Sequence, residues 1–200
     1  IEAGFSSVMM DASSKPFLEN VKFTKAVVEY AHHRSVSVEA ELGRIGTADF
    51  IETDTDEELF TNPEEARQFV LETNTDALAV SVGTAHGVYT VRKPRIDLER
   101  LQQIRARTPV HLVLHGGSGV PAAMIKEAIQ LPGGGISKVN IATDLELAAL
   151  KVLGRSERLL NEEMNALSPQ EIKAAQNAVF DVVIEKITNF VGSAGKAEIG

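Results

Sequence analysis

The 200 residues carry 20 Lys and Arg against 28 Asp and Glu, a formal net charge of -8, with 44% hydrophobic and 24% charged residues. This is the balance of a globular chain long enough for one core, and it excludes collagen-like, low-complexity and wholly disordered classes. With no cysteine there is no disulfide, thiol catalysis or thiolate zinc site, and an acidic chain without a Lys/Arg cluster argues against nucleic acid or anionic membrane as a partner.

The chain opens on Ile1-Glu2-Ala3-Gly4 without Met, in the manner of a helix end running into a strand, and reads as a truncated beginning. Ser6 to Met10 predicts a strand ending at Asp11, and Phe17 to His33 a helix after Pro16. Val36 to Leu42 repeats the strand. An acidic stretch from Thr47 to Asn62 then leads to Pro63, which suits the first turn of a helix reaching Glu72. Ala77 to Val82 with Leu98 to Arg107 makes a third pair, and His111 to Leu114 with Pro121 to Leu131 a fourth. Lys138 to Ile141 with Thr143 to Leu153 makes a fifth.

Strands alternating with helices imply parallel strands and right-handed crossovers, hence an α/β architecture. The repeat of about thirty residues matches a (β/α)8 TIM barrel, whose eight units take about 250 residues, so this single domain reads as the last five units. An open five-stranded sheet is the other arrangement. Residues 167–191 are expected as a terminal helical region and 192–200 as a flexible tail. No apolar run approaches the roughly 20 residues that span a bilayer and no leader opens the chain, so the expectation is a cytoplasmic protein without a membrane partner.

Polar residues collect after the strands: Asp11, then Glu39 and Glu41, then Gly83-Thr84-Ala85-His86-Gly87, then His115-Gly116-Gly117-Ser118-Gly119, then Asn140-Ile141-Ala142-Thr143. All fall on the rim where a parallel barrel assembles its active site. A single strand-end histidine is more often a hydrogen-bonded structural residue, but His86 and His115 together, each followed by Gly, suit a divalent metal. A catalytic zinc takes about three protein ligands, and Glu41, Asp11 or a residue outside this chain could supply the third. His111, four residues before His115, falls about 13 Å lower along the strand. His32 and His33 suit a helix C-terminus. The two Gly/Ser/Thr-containing segments at helix starts suit a phosphate. Lys138, read as a strand start two residues before Asn140, is poorly placed for a Schiff base. The loop carrying Asp49 and Glu52 is either a solvated acidic stretch or a lid supplying one base.

The strings Ser-Val-Met-Met-Asp-Ala-Ser, Val-Glu-Ala-Glu-Leu-Gly, Gly-Thr-Ala-His-Gly, Leu-His-Gly-Gly-Ser-Gly and Lys-Val-Asn-Ile-Ala-Thr together resemble the class II ketose-bisphosphate aldolases, over nearly all 200 residues. The resemblance implies a (β/α)8 barrel and a lyase that reversibly cleaves fructose or tagatose 1,6-bisphosphate to dihydroxyacetone phosphate and glyceraldehyde 3-phosphate. Zn2+ would act as Lewis acid, with room for an activating monovalent cation, and the assembly would be a homodimer or homotetramer. His86 and His115 resemble two zinc ligands, and Asp11 and Glu41 the carboxylates of a neighbouring or alternative metal position. Gly87, Gly116, Gly117, Ser118, Asn140, Ile141, Ala142 and Thr143 match the segments that hold dihydroxyacetone phosphate.

Glu52, or second Asp49, is the candidate loop base, although Gly46-Thr47-Ala48-Asp49-Phe50 departs from the Gly-Gly and Glu-Asp pattern of many relatives. Ala12 and Ser14 stand where relatives often have Gly and His. The third zinc histidine and the aspartic acid before it belong to a barrel strand that these 200 residues lack, so this chain alone is expected to be inactive and not a stable monomer. A non-catalytic sugar-phosphate-binding protein and a different TIM-barrel lyase or isomerase are the alternatives.

Overall fold

The structure, a computed structural model, describes residues 1–43, 59–87, 89 and 93–197. Five strands, β1 (Ser7–Met10), β2 (Ser37–Leu42), β3 (Ala77–Val80), β4 (His111–Leu114) and β5 (Ile136–Val139), alternate with α1 (Phe17–His32), α2 (Pro63–Thr73), α3 (Leu98–Arg105), α4 (Ala122–Ile129) and α5 (Thr143–Val152). Two more helices follow, α6 (Asn161–Asn165) and α7 (Pro169–Glu185), and the latter continues into a π-helical turn at Lys186–Phe190. The short helix α6 has no counterpart in the sequence reading.

The five strands form one parallel sheet in the order β1-β2-β3-β4-β5. A doubly wound sheet reverses its strand order at a switch point, whereas a barrel adds each strand beside the last. The strictly sequential order therefore decides for five consecutive units of the barrel type over the open sheet.

Strand parity shows which residues meet the helices. Val38, Ala40 and Leu42 of β2, Leu78 and Val80 of β3, and Leu112 and Leu114 of β4 are buried in clusters shared with helix residues such as Val28, Phe69, Leu101, Ile104 and Ile125. Each such Val, Leu, Ile or Phe side chain contributes on the order of 1.5–3 kcal/mol on burial. Because side chains alternate along a strand, Glu39, Glu41, Ala77, Ala79, His111, Val113 and His115 take the opposite, inner face. The small Ala77 and Ala79, paired with Glu39 and Glu41, leave room there for longer side chains.

Local chemistry sets the connections. Asn62 caps α2 by accepting from the N–H groups of Glu64 and Glu65 at 2.9 and 3.2 Å, with Pro63 next to it. Asn74 closes the same helix at φ 56, in the left-handed region that Asn tolerates.

The fifth strand corrects the sequence reading. It begins at Ile136, two residues earlier than the apolar pattern suggests, and a bulge breaks its register: Leu112 pairs with Ile136 but Val113 with Lys138. The extra residue, Ser137, lets Lys138 share the inner face with Val113, where strict alternation from Ile136 would not. Lys138 is thus the third residue of the strand and not its start.

Candidate active site

The inner ends of β2, β3, β4 and β5 meet at one polar centre. His115, directly after β4, is buried, and each ring nitrogen faces a carboxylate: Nε2 lies 3.0 Å from Glu39 Oε1 and Nδ1 3.2 Å from Glu41 Oε2. Lys138 Nζ donates to the other oxygen of Glu39 at 2.6 Å. Asn20 of α1 donates to the Glu41 carbonyl at 3.0 Å, fixing the end of β2 against the helix layer.

The segment after β3 is fastened to the segment after β4. Thr84 Oγ1 donates to the His115 carbonyl at 2.8 Å, and the Ala85 N–H donates to the Tyr89 hydroxyl oxygen at 2.8 Å. This pairing brings the His86 and His115 rings to 5.7 Å between centroids, tilted by 37°. Asp11 lies beyond them: its Oδ1 accepts from Ser13 N–H at 3.0 Å and from Ser13 Oγ at 2.7 Å, and Ser13 Oγ is 3.5 Å from Glu41 Oε1.

These neighbours set the proton affinities. For His115, burial opposes the charged ring, but the hydrogen bonds its ring donates to Glu39 and Glu41, with the charges of those carboxylates, outweigh it and raise the pKa to about 9. For Glu39, burial likewise opposes ionisation, yet His115 and Lys138 hold its carboxyl below the ordinary range. His86 is shifted the other way. Burial and the charge of His115 lower its pKa against the pull of Glu41 and Asp11, which leaves a neutral imidazole with a lone pair to offer.

A pH dependence follows for the metal-free protein. His115 ordinarily titrates at 6.5 and in the fold at about 9, so the folded state binds this proton more tightly than the unfolded state. The resulting stability is fully present below pH 6.5 and is lost as the pH rises through about 9, a change on the order of 3 kcal/mol. Urea unfolding of the chelated protein at pH 6 and pH 9.5 checks this, and a midpoint independent of pH across that window would contradict it.

Beside His86 is a cleft of about 530 Å³ lined by His86, Gly87, Gly116, Ser118, Asn140, Ala142 and Thr143, with Arg158 at its side. Arg158 is held by Glu146 through two contacts of 2.5 and 2.6 Å. Two other sequence candidates build the cleft without lining it. Gly117 donates its N–H to the Asn140 carbonyl at 3.0 Å, and Ile141 packs against the core. Asp144, in the first turn of α5, accepts from Gly119 N–H at 3.1 Å, and its own N–H donates to Ser118 Oγ at 3.1 Å. Lys186 of the π-helical turn reaches Asp144 at 2.7 Å. The two loops are therefore stapled to one another and to the terminal helical region.

The remaining histidines are engaged elsewhere. His32 Nε2 is 2.8 Å from Asp76, His33 Nδ1 is 2.7 Å from the Glu29 carbonyl, and His111 Nδ1 is 3.3 Å from Ser137 Oγ. The loop candidates Glu52 and Asp49 lie outside the described residues. Ser13 and Lys138 are members of the polar centre that the sequence reading did not include among its site residues, and Glu39 was placed on the rim without a role. Only Glu39 had a signal, strand parity, since it shares the inner face with Glu41 two residues on; Ser13 lies outside the strands and Lys138 turns inward through the bulge.

A family model, class II fructose-bisphosphate aldolase, matches residues 1–196. The chain belongs to that family. The structure of the YdjI aldolase from Escherichia coli K12 is 37% identical, superposes with a TM-score of 0.78, and is matched over 98% of this chain and 65% of its own. A structure from Coccidioides immitis, assigned as a fructose-1,6-bisphosphate aldolase, is 32% identical with a TM-score of 0.76, over 97% and 65% respectively. The fructose-bisphosphate aldolase from Campylobacter jejuni, at 22% identity and a TM-score of 0.68 over 94% and 61%, shares the fold. This aldolase-family chain thus spans 65% of the length of the first two structures.

Among the described residues no three His, Asp or Glu side chains converge as a ready metal cage. The donor set nonetheless suits zinc in kind. Two imidazoles bonding one ion at about 2.0–2.1 Å bring their centres to roughly 5–6 Å, and His86 and His115 stand at 5.7 Å. Glu41 Oε2, 3.2 Å from His115 Nδ1, places an oxygen donor beside that nitrogen.

Proposed function

We propose that the full-length protein is a zinc-dependent aldolase that reversibly cleaves a ketose 1,6-bisphosphate, fructose or tagatose, to dihydroxyacetone phosphate and glyceraldehyde 3-phosphate. The observation that carries the reading is the adjacency of the His86–His115 pair to a cleft floored by two helix-entering loops. His86 and His115 would hold the ion, with Glu41 and Asp11 as neighbouring carboxylates. When bound it supplies Lewis acidity at the ketose carbonyl.

The chain's own residues do the rest. Gly87, Gly116, Ser118, Asn140, Ala142 and Thr143 hold the phosphate of the three-carbon ketone end, since small residues in loops that enter helices let polar groups approach an anion, while Gly117 and Ile141 brace those loops. Glu52, or Asp49 in its place, takes and returns the proton on the carbon next to the carbonyl, a task that suits a carboxylate. The cleft's depth between fastened loops holds the phosphate end in one register, so the C3–C4 bond of a bound ketose is presented consistently to the His86–His115 end.

The test is a coupled assay of the full-length protein with both bisphosphates. Expected is formation of dihydroxyacetone phosphate that stops on chelation and returns with zinc. Cleavage indifferent to an exhaustive chelator overturns the metal reading. Phosphate-ester binding by calorimetry with no turnover of any ketose bisphosphate would favour a non-catalytic binding protein.

A further inference from the structure

Lys138, Glu39 and His115 form a relay from a half-exposed amine to two buried groups: Nζ to Oε2 at 2.6 Å, then Oε1 to the ring Nε2 at 3.0 Å. Register places this relay below the rim. Glu39 lies two residues before Glu41 on the same face of β2, and Lys138 is paired with Val113, two residues before His115. The Nε2 edge of His115 therefore faces into the sheet's interior, and the Nδ1 edge faces Glu41 and the rim that holds His86. A histidine ring offers a metal only the nitrogen whose proton has gone, and the partner of the other nitrogen decides which one that is.

We propose that Glu39 and Lys138 are positioning residues that keep the proton on Nε2 of His115, so that Nδ1 is its metal-bonding nitrogen. The proposal rests on the zinc reading above. Glu39 is a fixed acceptor because its second oxygen is occupied by Lys138, whereas Glu41 shares its rim position with Ser13 and Asp11. The bulge at Ser137 is what allows Lys138 to reach inward, so the departure from strand regularity serves the relay. Neither Glu39 nor Lys138 lines the cleft beside His86, so their effect reaches the site through the orientation and basicity of His115.

The experiment measures zinc affinity by competition with a chromophoric chelator, and the visible spectrum after Co2+ substitution, in the full-length wild type and in Glu39→Gln, Lys138→Met and Lys138→Arg. Expected is a 10–100-fold loss of affinity in Glu39→Gln, a smaller loss with an altered Co2+ spectrum in Lys138→Met, and recovery towards wild type in Lys138→Arg. Should Glu39→Gln fail to fold, Lys138→Met still decides, because that side chain is half exposed. Variants that melt earlier yet bind zinc within threefold of wild type, with an unchanged Co2+ spectrum, overturn the proposal while leaving the aldolase reading intact. A wild type with no zinc affinity overturns the metal reading and this inference with it.

Discussion

His115→Ala is expected to abolish activity and to destabilise the fold, whereas His86→Ala is expected to abolish activity alone. On the zinc-aldolase proposal both remove one of the two imidazoles offered to a single ion, so each should drop kcat/KM of the full-length protein by at least about 10³-fold and leave zinc substoichiometric in the purified protein. The stabilities part company because the surroundings differ. The His86 side chain keeps a solvent-facing surface and, among the described residues, forms no ion pair with a carboxylate, so its loss strands none of those charges. His115 is 4% exposed and stands between two buried glutamates. Its removal leaves Glu39 with Lys138 alone and Glu41 with a buried oxygen facing a void, and breaking a buried ion pair from one side costs about 3–5 kcal/mol. Urea unfolding of both metal-stripped variants at pH 7 separates the two effects. Equal stability of the two would show that the carboxylates relax into water at no cost, and full activity in His86→Ala would remove the basis for a shared ion.

The fold was legible because its signal is repetitive. Apolar runs such as Leu78 to Val80 and Leu112 to Leu114, each followed after a polar rim by an amphipathic stretch, recur at a regular interval and admit few topologies. The helix ends were legible too, since Pro63 and the residue before it carry their own capping chemistry. The fifth strand was misplaced because a bulge adds a residue and spoils the alternation, leaving Ile136-Ser137-Lys138 unlike an apolar run. Of the candidate site, the placement of the two histidines and both glycine-containing loops could be read from their position after strands. The pairing of His115 with Glu39 could not, because 76 residues separate them and only strand register brings them together. Arg158 was missed for a simpler reason. It sits in a polar segment between α5 and α6 that has no periodicity, and its place beside the cleft depends on the long-range contact with Glu146.

The second large effect is expected at Gly116, where neither charge nor metal is involved. Gly116 sits at φ +68, and a Cβ there would lie 2.7 Å from the Ala85 carbonyl carbon and closer still to its oxygen. The obstacle is backbone, and it belongs to the segment that carries His86. An alanine side chain can be accommodated only by moving residues 85–86 away from 115–116. The left-handed conformation costs about 1–2 kcal/mol for alanine, and overpacking adds about 1–3 kcal/mol, so Gly116→Ala should lose on the order of 2–5 kcal/mol of stability. Its effect on activity should exceed what that loss explains. A displacement near 1 Å separates the two imidazoles and widens the cleft floor, and misplacement of that size costs about 10²-fold in rate. The folded fraction of Gly116→Ala, assayed well below its melting temperature, is therefore expected to show kcat/KM reduced by two orders of magnitude with weakened zinc binding. Gly134→Ala is the matched control: its φ of +94 carries a similar backbone strain, but no atom lies within 4 Å of the added carbon, and the position is remote from the cleft. If both variants lose stability but only Gly116→Ala loses zinc and rate, the close approach of the two strand ends is what holds the histidines together. If Gly116→Ala keeps wild-type zinc affinity and turnover, the fastening by Thr84 is sufficient by itself and the contact at Gly116 is dispensable.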